Sequence, residues 1–392
     1  MKIAKAFVQL RLVSMALVLI LLVAACGPAP LGTSWAAVTL VGNDQNILLS
    51  FNNQTILVNP SDGSAVKLLN ADGEIRLDDQ GNPRIWKVTG SDAQTLFFSN
   101  PIVEDEETLI IGSYNQKFFR VDVPTARIEN PEGVAIEGYT GHMVANLVAD
   151  ENQIYVGLSN HDLVALDRTD FSVRWTFPTE HGVWSAPLLL DGVLYFTSLD
   201  HNLYAVDAAT GDSVWRFDLE GAALATPVYH DGRLYVGSFA RKIFVISLSG
   251  EKLYEYQTVD WVWGSPTIVD DTLYAADLGG NVYAVYINDG INERWRAKVS
   301  EKAIRPSPLV VDNTVIVASS DQKVYWLSAD NGFTNFSREL TSPVFSDLLL
   351  IDANETLGIT QPMVVVSTMS PAEMLVAFTV EQGERRWVHA LQ

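Results

Sequence analysis

The stretch Ala186-Pro-Leu-Leu-Leu-Asp-Gly-Val-Leu-Tyr195 recurs along the chain, and its recurrence decides the fold. It consists of a short apolar run, a turn at Asp191-Gly192 and a second apolar run, which is the pattern of a β-hairpin. Three further segments repeat it, at residues 226–235, 265–274 and 307–316. Their prolines follow one another at intervals of 40, 39 and 42 residues, so the chain contains a structural repeat of about forty residues.

Weaker copies extend the array to eight units, and they start near Val38, Pro101, Asn146 and Leu348. Each clear unit contains four short runs rich in β-branched and aromatic residues, bounded by Gly, Asn and Asp. No segment in 35–392 has a sustained helical period. Four strands in forty residues is typical of a propeller blade, so we predict an all-β, eight-bladed β-propeller of four-stranded blades as one domain over residues 35–392.

A large aromatic residue recurs near the end of most units, usually four positions after a turn glycine. One ring per blade on the outermost strand can pack against the neighbouring blade and bury a large apolar area. We therefore assign a structural docking role to Trp175, Trp215, Tyr254, Trp295, Phe336 and Trp387, with Trp86 at nearly the same place in its unit.

The segment Leu203-Tyr-Ala-Val-Asp-Ala-Ala-Thr-Gly-Asp-Ser-Val-Trp215 resembles the tryptophan-docking repeat of the pyrroloquinoline-quinone (PQQ) propellers. The segment Leu163-Val-Ala-Leu-Asp167 with Trp175 is a second copy. The resemblance covers nearly all of 35–392 and implies the fold, because PQQ-like blades occur both in quinoprotein dehydrogenases and in non-catalytic binding proteins. The whole chain is similar to the propeller lipoproteins of the outer-membrane β-barrel assembly machinery, although it has an extended connection at 67–84.

The N-terminus resembles a bacterial lipoprotein signal. Lys2, Lys5 and Arg11 precede an apolar run that is too short to span a bilayer comfortably. The run ends in Leu22-Val-Ala-Ala-Cys26, and Cys26 is the only cysteine of the chain. We predict a signal peptide at 1–25, lipidation of Cys26, a tether at 26–34 and an extracytoplasmic, membrane-anchored protein.

Charge excludes one class of partner. Three of the 26 Lys and Arg residues lie before residue 26, so the rest of the chain has 23 basic and 47 acidic residues, a net charge of −24. A nucleic-acid-binding protein needs a basic patch, so we predict no nucleic-acid partner. A single propeller domain also predicts a monomer.

Catalytic motifs are absent from the sequence. We find no GxSxG, HExxH, phosphate-loop or Cys/His metal spacing, and the units leave little chain for a cofactor cage. We therefore predict no catalytic residues, no metal site and no cofactor. The alternative is a quinoprotein oxidoreductase, which would hold PQQ beside a Ca²⁺ ion bound by several oxygen ligands.

Two sets of loop residues are candidates for binding. The loop before each innermost strand borders the central channel of a propeller, and the position three residues before each aligned proline is almost always large and apolar. This ring at the channel mouth comprises Trp35, Phe98, Met143, Trp184, Leu224, Trp263, Arg305 and Phe345. Aromatic residues, Met and Arg are typical of interface hot spots, although such residues can equally close the channel as core. Four acidic residues in the same loops predict an acidic rim: Glu180, Glu220, Asp260 and Glu301.

These patterns favour a non-catalytic, membrane-anchored scaffold or assembly factor whose partner is a membrane or envelope protein. A surface glycan or peptide binder is a further alternative. The sequence does not identify the partner.

Overall fold

The computed structural model describes residues 36–391 except positions 43, 71, 93, 106 and 289. The signal segment, Cys26, the tether and Trp35 lie outside the described residues. No helix among the described residues is long and apolar enough to cross a membrane.

Eight antiparallel sheets follow one another along the chain, and each contains four strands in sequence order. This arrangement confirms the prediction of an all-β, eight-bladed propeller. We number the blades I to VIII. Blade II has an additional short strand, Val134–Ala135, which pairs with its third strand. Two single-turn 3₁₀ helices occur in blade VIII, at Glu355–Leu357 and Pro371–Glu373.

The first two strands of each blade form a hairpin that starts at the central channel. From blade I to blade VIII, the innermost strands are Ala37–Val41, Ile102–Val103, Val148–Ala149, Leu188–Leu190, Val228–His230, Thr267–Val269, Leu309–Val311 and Leu349–Ile351. The second strands are Asn46–Phe51, Thr108–Gly112, Gln153–Gly157, Val193–Thr197, Arg233–Ser238, Thr272–Ala276, Thr314–Ser319 and Met363–Ser367.

The third and fourth strands complete each blade. The third strands are Gln54–Val58, Lys117–Asp122, Asp162–Asp167, Asn202–Asp207, Lys242–Ser247, Asn281–Tyr286, Lys323–Ser328 and Leu375–Thr379. The outermost strands are Lys87–Thr89, Arg127–Ile128, Val173–Pro178, Ser213–Asp218, Lys252–Gln257, Asn292–Lys298, Thr334–Glu339 and Arg385–His389.

The core lies between blades. Most residues of the second and third strands are buried, as in Val193–Thr197 and Asn202–Asp207, because both faces of each sheet pack against a neighbouring blade. Strands buried on two faces need apolar residues at successive positions, which explains the near-continuous apolar runs. The outermost strands are more exposed and alternate less regularly.

Tryptophans of the outermost strands join successive blades. The indole Nε1 of Trp175 donates to the carbonyl of Ala208 in the next blade at 3.1 Å, and Trp215 does the same to Leu248 at 2.9 Å. Gly211 and Gly250 have φ of 79° and 84°, and a Cβ at either glycine would lie 2.7 Å from a ring atom of the packed tryptophan. Each ring therefore requires both a hydrogen-bond acceptor and a glycine in the adjacent turn.

The docking position differs between blades. The Nε1 of Trp295 donates to Ala329 at 2.8 Å, and the ring of Phe336 stacks on Trp326 with ring centroids 5.1 Å apart. Tyr254 is 39% exposed, so its ring covers the neighbouring blade only in part.

The ring of blades closes between blade VIII and blade I. Trp387 Nε1 donates to the carbonyl of Pro60 at 2.9 Å, and Ser346 Oγ donates to the carbonyl of Ala36 at 2.7 Å. Both blades consist of consecutive strands, so side-chain contacts close the propeller without exchange of a strand.

Candidate binding site at the channel mouth

The loops that lead into the innermost strands converge on one cavity of about 250 Å³ at the channel mouth. Every blade has the same order of strands, so the same repeat position lies at the same end of every blade. Six of the eight residues predicted for the ring line this cavity, and they are Phe98, Trp184, Leu224, Trp263, Arg305 and Phe345.

The two remaining ring positions do not add to the lining that the structure describes. Met143 is 1% exposed and belongs to the core cluster that contains Ile110 and Phe118. Its side chain packs between blades II and III, so it acts as core. Trp35 lies outside the described residues.

Arg305 lies between two aromatic rings of the mouth. Its guanidinium carbon is 4.8 Å from the ring centroid of Trp263 and 4.7 Å from that of Phe345. A cation over the negative face of an aromatic ring is attracted to it, and two rings hold the guanidinium from both sides. The mouth therefore combines a positive charge with apolar ring edges, which is the composition of interface hot spots.

Polar groups between the large side chains complete the lining. Asn146 Oδ1 accepts from the backbone N–H of Asn100 at 3.0 Å, and Asp347 Oδ1 accepts from that of Ser307 at 2.7 Å. Both contacts join the loops that precede the innermost strands of neighbouring blades. These side chains therefore join adjacent blades at the mouth.

An aromatic cluster continues from the cavity across the adjacent loops. Trp184, Leu224 and Trp263 pack with Leu199, Phe239 and Trp261, and the rings of Phe239 and Trp261 stack at 4.9 Å with an interplanar angle of 11°. Sequence reasoning missed Leu199, Phe239 and Trp261. Leu199 and Phe239 each start the turn after a second strand, and that turn lies on the same face of the propeller as the mouth loops.

The four acidic residues of the predicted rim do not form a common site. Glu220 pairs with Lys242 at 2.9 Å and Glu301 with Lys298 at 3.5 Å. Asp260 Oδ1 accepts from the backbone N–H of Trp261 at 2.8 Å, and the backbone N–H of Glu180 donates to Asp200. The carboxylates of Glu220, Asp260 and Glu301 therefore have separate partners. Among the described residues, no group of three or more His, Cys, Asp or Glu could hold a metal ion.

Three tyrosines whose hydroxyl pKa is strongly raised lie within the blades and away from the mouth. Tyr155, Tyr204 and Tyr283 donate to Asp150, Asp200 and Asp277, at 2.6, 2.8 and 2.6 Å. Burial, together with the hydrogen bond to the carboxylate, raises the pKa of each hydroxyl above its ordinary value of 10. None of the three lines the mouth cavity, so these shifts report turn packing within blades.

Comparison with solved structures supports the same architecture. BamB from Moraxella catarrhalis is 15% identical, covers 86% of this chain and 94% of its own, and superposes with a TM-score of 0.65. The computationally designed Ika8 protein has the same identity and coverage, with a TM-score of 0.64. Saccharomyces cerevisiae Sqt1 is 14% identical with the same coverage and a TM-score of 0.67. At these identities the likeness shows the fold alone.

Comparison with family models shows the family as well as the fold. No curated protein matches the chain. The family model described as outer membrane protein assembly factor BamB matches residues 135–226 and 199–392, so together the two matches cover most of the propeller. By its repeat, its blades and this match, the chain belongs to the PQQ-like propeller family of the outer membrane protein assembly factor BamB.

Proposed function

We propose that this protein is a non-catalytic assembly factor that holds a membrane or envelope protein at its channel mouth. The observation that carries the proposal is the convergence of Trp184, Trp263, Arg305 and Phe345 on one cavity. Large aromatic side chains and an arginine at a partly exposed concave site provide a strong anchor for a protein partner. The family's description as an assembly factor supports the same role.

The proposed anchor would place this mouth near a membrane. Lipidation of Cys26 would attach the chain, and the eight residues between Cys26 and Trp35 span at most about 28 Å when extended. The described chain begins at Ala36, which itself lines the mouth cavity. A partner embedded in that membrane would then lie within reach of the mouth, on the extracytoplasmic side.

The partner site is tested with a triple variant, Trp184→Ala, Trp263→Ala and Arg305→Glu. We expect near-native circular dichroism and loss of the partner that co-purifies with the unmodified protein from native membranes. The control is Asp212→Lys, an exposed position at the turn between the third and outermost strands of blade IV, on the opposite face. Retention of the partner by the folded triple variant would contradict the proposal.

The anchor is tested separately by Cys26→Ser. A lipid-modified cysteine supplies the hydrophobic attachment, so the variant should leave the membrane fraction or remain unprocessed. A variant that stays membrane-bound after a carbonate wash and migrates normally would show that Cys26 is not the anchor.

We also propose that no quinone cofactor is bound. Ca²⁺ beside a quinone takes six to eight oxygen ligands with several carboxylates, whereas Asp347 is the only acidic side chain among the described residues of the mouth lining. The rings of Trp263 and Phe345 are engaged with Arg305. A stoichiometric absorbance change on addition of PQQ and Ca²⁺ would overturn this assignment in favour of an oxidoreductase.

A further inference from the structure

A second cavity lies between the outermost strands of blades III and IV. It has a volume of about 650 Å³ and is open to solvent. Blade III contributes residues 177–180, at the end of its outermost strand and in the loop that follows, and blade IV contributes Tyr204, Ser213, Trp215 and Arg216. We call this cavity the III/IV groove. The groove and the mouth cavity share no lining residue among those that the structure describes.

The floor of the III/IV groove is aromatic. Phe177 of blade III and Tyr204 of blade IV meet edge to face, with ring centroids 5.3 Å apart. Tyr204 is 5% exposed, and its hydroxyl donates to Asp200 Oδ2 at 2.8 Å. The same carboxylate oxygen accepts from the backbone N–H of Glu180 at 3.0 Å. Contacts from both blades therefore fix the floor, and the carboxylate of Asp200 is engaged in holding it.

Two opposite charges flank this floor. Arg216 lies opposite Tyr204 in the strand register, and Glu180 follows Phe177 by three residues. Burial is the largest cause that raises the pKa of the Tyr204 hydroxyl, while the charge of Arg216 lowers this pKa and that of Glu180 raises it, so both side chains lie near the hydroxyl. Both are exposed, and neither charged group forms a hydrogen bond or an ion pair with another residue that the structure describes.

The equivalent groove between blades IV and V is filled by a lysine. Lys242 begins the third strand of blade V, where Asn202 begins that of blade IV. Its ammonium lies 2.9 Å from a carboxylate oxygen of Glu220 and 3.1 Å from one of Glu255. It also lies 5.6 Å from the ring centroid of Phe244, which forms the floor there. A cation bridging two acids over an aromatic ring therefore completes this groove.

Blade IV lacks the filling side chain and reverses one of the charges. Asn202 is too short to cross the groove as the lysine does, and Arg216 takes the register position of Glu255. The acid of the mouth-side loop is retained as Glu180. The III/IV groove thus presents one cation and one anion, so a complementary ligand brings a negative group to Arg216 and a positive group to Glu180.

The spacing of the two charges indicates the size of this ligand. Arg216 is level with the Phe177–Tyr204 ring pair, and the three residues from Phe177 to Glu180 span at most about 10 Å. An extended peptide of two or three residues spans about 7–10 Å by the same rule, and its free ends carry an ammonium and a carboxylate.

We propose that the III/IV groove binds a short unblocked peptide of two or three residues that carries an apolar side chain. The peptide's carboxylate pairs with Arg216, its ammonium pairs with Glu180, and its apolar side chain packs on Phe177 and Tyr204. The groove lies apart from the mouth, so the proposal goes beyond the proposed function and does not depend on it.

Isothermal titration calorimetry of the purified full chain with the tripeptide Leu-Ala-Leu tests the site. We expect one peptide per chain. The same peptide with an acetylated N-terminus or an amidated C-terminus should each bind about fivefold more weakly, because each lacks one partly exposed ion pair. The mouth triple variant should bind Leu-Ala-Leu unchanged, which separates this proposal from the proposed function.

Variants assign each charge of the peptide to its partner. Arg216→Gln should weaken binding about fivefold, and the amidated peptide should then bind no more weakly than the unblocked one. Glu180→Gln should do the same for the acetylated peptide. The matched control is Arg296→Gln, because Arg296 is exposed and has the same register position in blade VI. This control should keep the full affinity for Leu-Ala-Leu.

A double variant that copies blade V should fill the groove. Asn202→Lys with Arg216→Glu should bind the peptide at least about tenfold more weakly without lowering the temperature of thermal unfolding. Absence of binding heat with Leu-Ala-Leu, equal affinity for blocked and unblocked peptides, or the same loss in Arg296→Gln would overturn the proposal. Equally tight binding of glycerophosphoethanolamine, a zwitterionic lipid headgroup, would also overturn it, because the groove would then recognise separated charges and not a peptide.

Discussion

Blade IV and blade I form the same contact with the next blade along different chain paths. In blade IV a short turn joins the third strand to the six-residue outermost strand Ser213–Asp218. In blade I an extended connection at residues 59–86, which we call the lobe, separates the third strand from the three-residue strand Lys87–Thr89. Nevertheless Trp86 Nε1 donates to the carbonyl of Val123 in blade II at 2.6 Å, as Trp215 donates to Leu248 in blade V at 2.9 Å.

The comparison shows which part of a blade is constrained by its neighbours. The docking tryptophan must meet a carbonyl of the next blade, because an indole N–H buried without an acceptor costs free energy. The connection that precedes it ends at the solvent face, so it can lengthen without disturbing the ring of blades. Three predictions test this distinction, from the largest expected effect to the smallest.

The largest effect is expected at the docking tryptophans. Trp86 is 2% exposed, so Trp86→Ala should lower the free energy of unfolding by about 3–5 kcal/mol. Trp215 is half-buried, so Trp215→Ala should cost less, about 2–3 kcal/mol. Urea denaturation at equilibrium measures both. Phe at each position is the control, because it keeps one aromatic ring while it loses the Nε1 hydrogen bond and the second ring of the indole. A smaller loss of unfolding free energy for Trp86→Ala than for Trp215→Ala would contradict this expectation. It would show that Trp86, where the lobe rejoins blade I, is not part of the core between blades.

Alanine substitutions at two glycines distinguish backbone strain from a clash of the added side chain. Gly250 in blade V and Gly73 in the lobe have φ of 84° and 79°, so alanine is strained at both, by about 1–2 kcal/mol. At Gly250 the added Cβ would also lie 2.7 Å from the Trp215 ring, whereas nothing lies within 4 Å of it at Gly73. Gly250→Ala should therefore destabilise the protein more than Gly73→Ala in thermal unfolding. Equal losses would show that the tryptophan ring moves aside freely.

The smallest effect concerns acid stability. Backbone donation from Thr210 is the largest cause that holds the pKa of Asp207 in blade IV below its ordinary 3.8. Because the folded-state pKa is lowered, the stabilisation is fully present above about pH 4 and is lost as the pH falls through the folded-state pKa. Asp207→Asn keeps the acceptor but cannot titrate, so the free energy of unfolding should fall less steeply below pH 4.

The lobe provides the control for this titration. Donation from the backbone of Asn82 is the largest cause that lowers the pKa of Asp78. The turn at 78–82 lies at the end of the lobe, outside the ring of blades, so Asp78→Asn should change the acid dependence of global unfolding less than Asp207→Asn does. Equal changes would show that the lobe unfolds together with the blades.

Repetition made much of the molecule predictable from sequence. The forty-residue period, the four short runs per unit and the turn glycines are local patterns, and equivalent positions of a repeat must occupy equivalent places in each blade. The same reasoning identified the loop position whose side chains line the mouth in six blades. It did not separate Met143, whose side chain packs in the core between blades II and III, because sequence position alone does not show which way a loop side chain points.

Contacts that depend on several blades at once were not visible in the sequence. Leu199 and Phe239 share one repeat position and Trp261 belongs to another, and only the shared face of the propeller brings all three beside Trp184 and Trp263. The lobe was apparent only as an extended connection. It is built around a ring of backbone hydrogen bonds among Leu68, Arg76 and Arg84, which are evenly spaced in sequence but part of no forty-residue unit.

The sequence by itself determined the strand period, the number of blades and the docking aromatics, because strand formation and turn geometry depend on residues a few positions apart. Only the tertiary structure decided which side chains share a cavity, that Met143 packs in the core and not at the mouth, and how blade VIII meets blade I. Those contacts join residues separated by one repeat or by nearly the whole chain, as Trp387 and Pro60 are. Their geometry follows from closing eight twisted sheets into a circle, a condition that no single repeat contains.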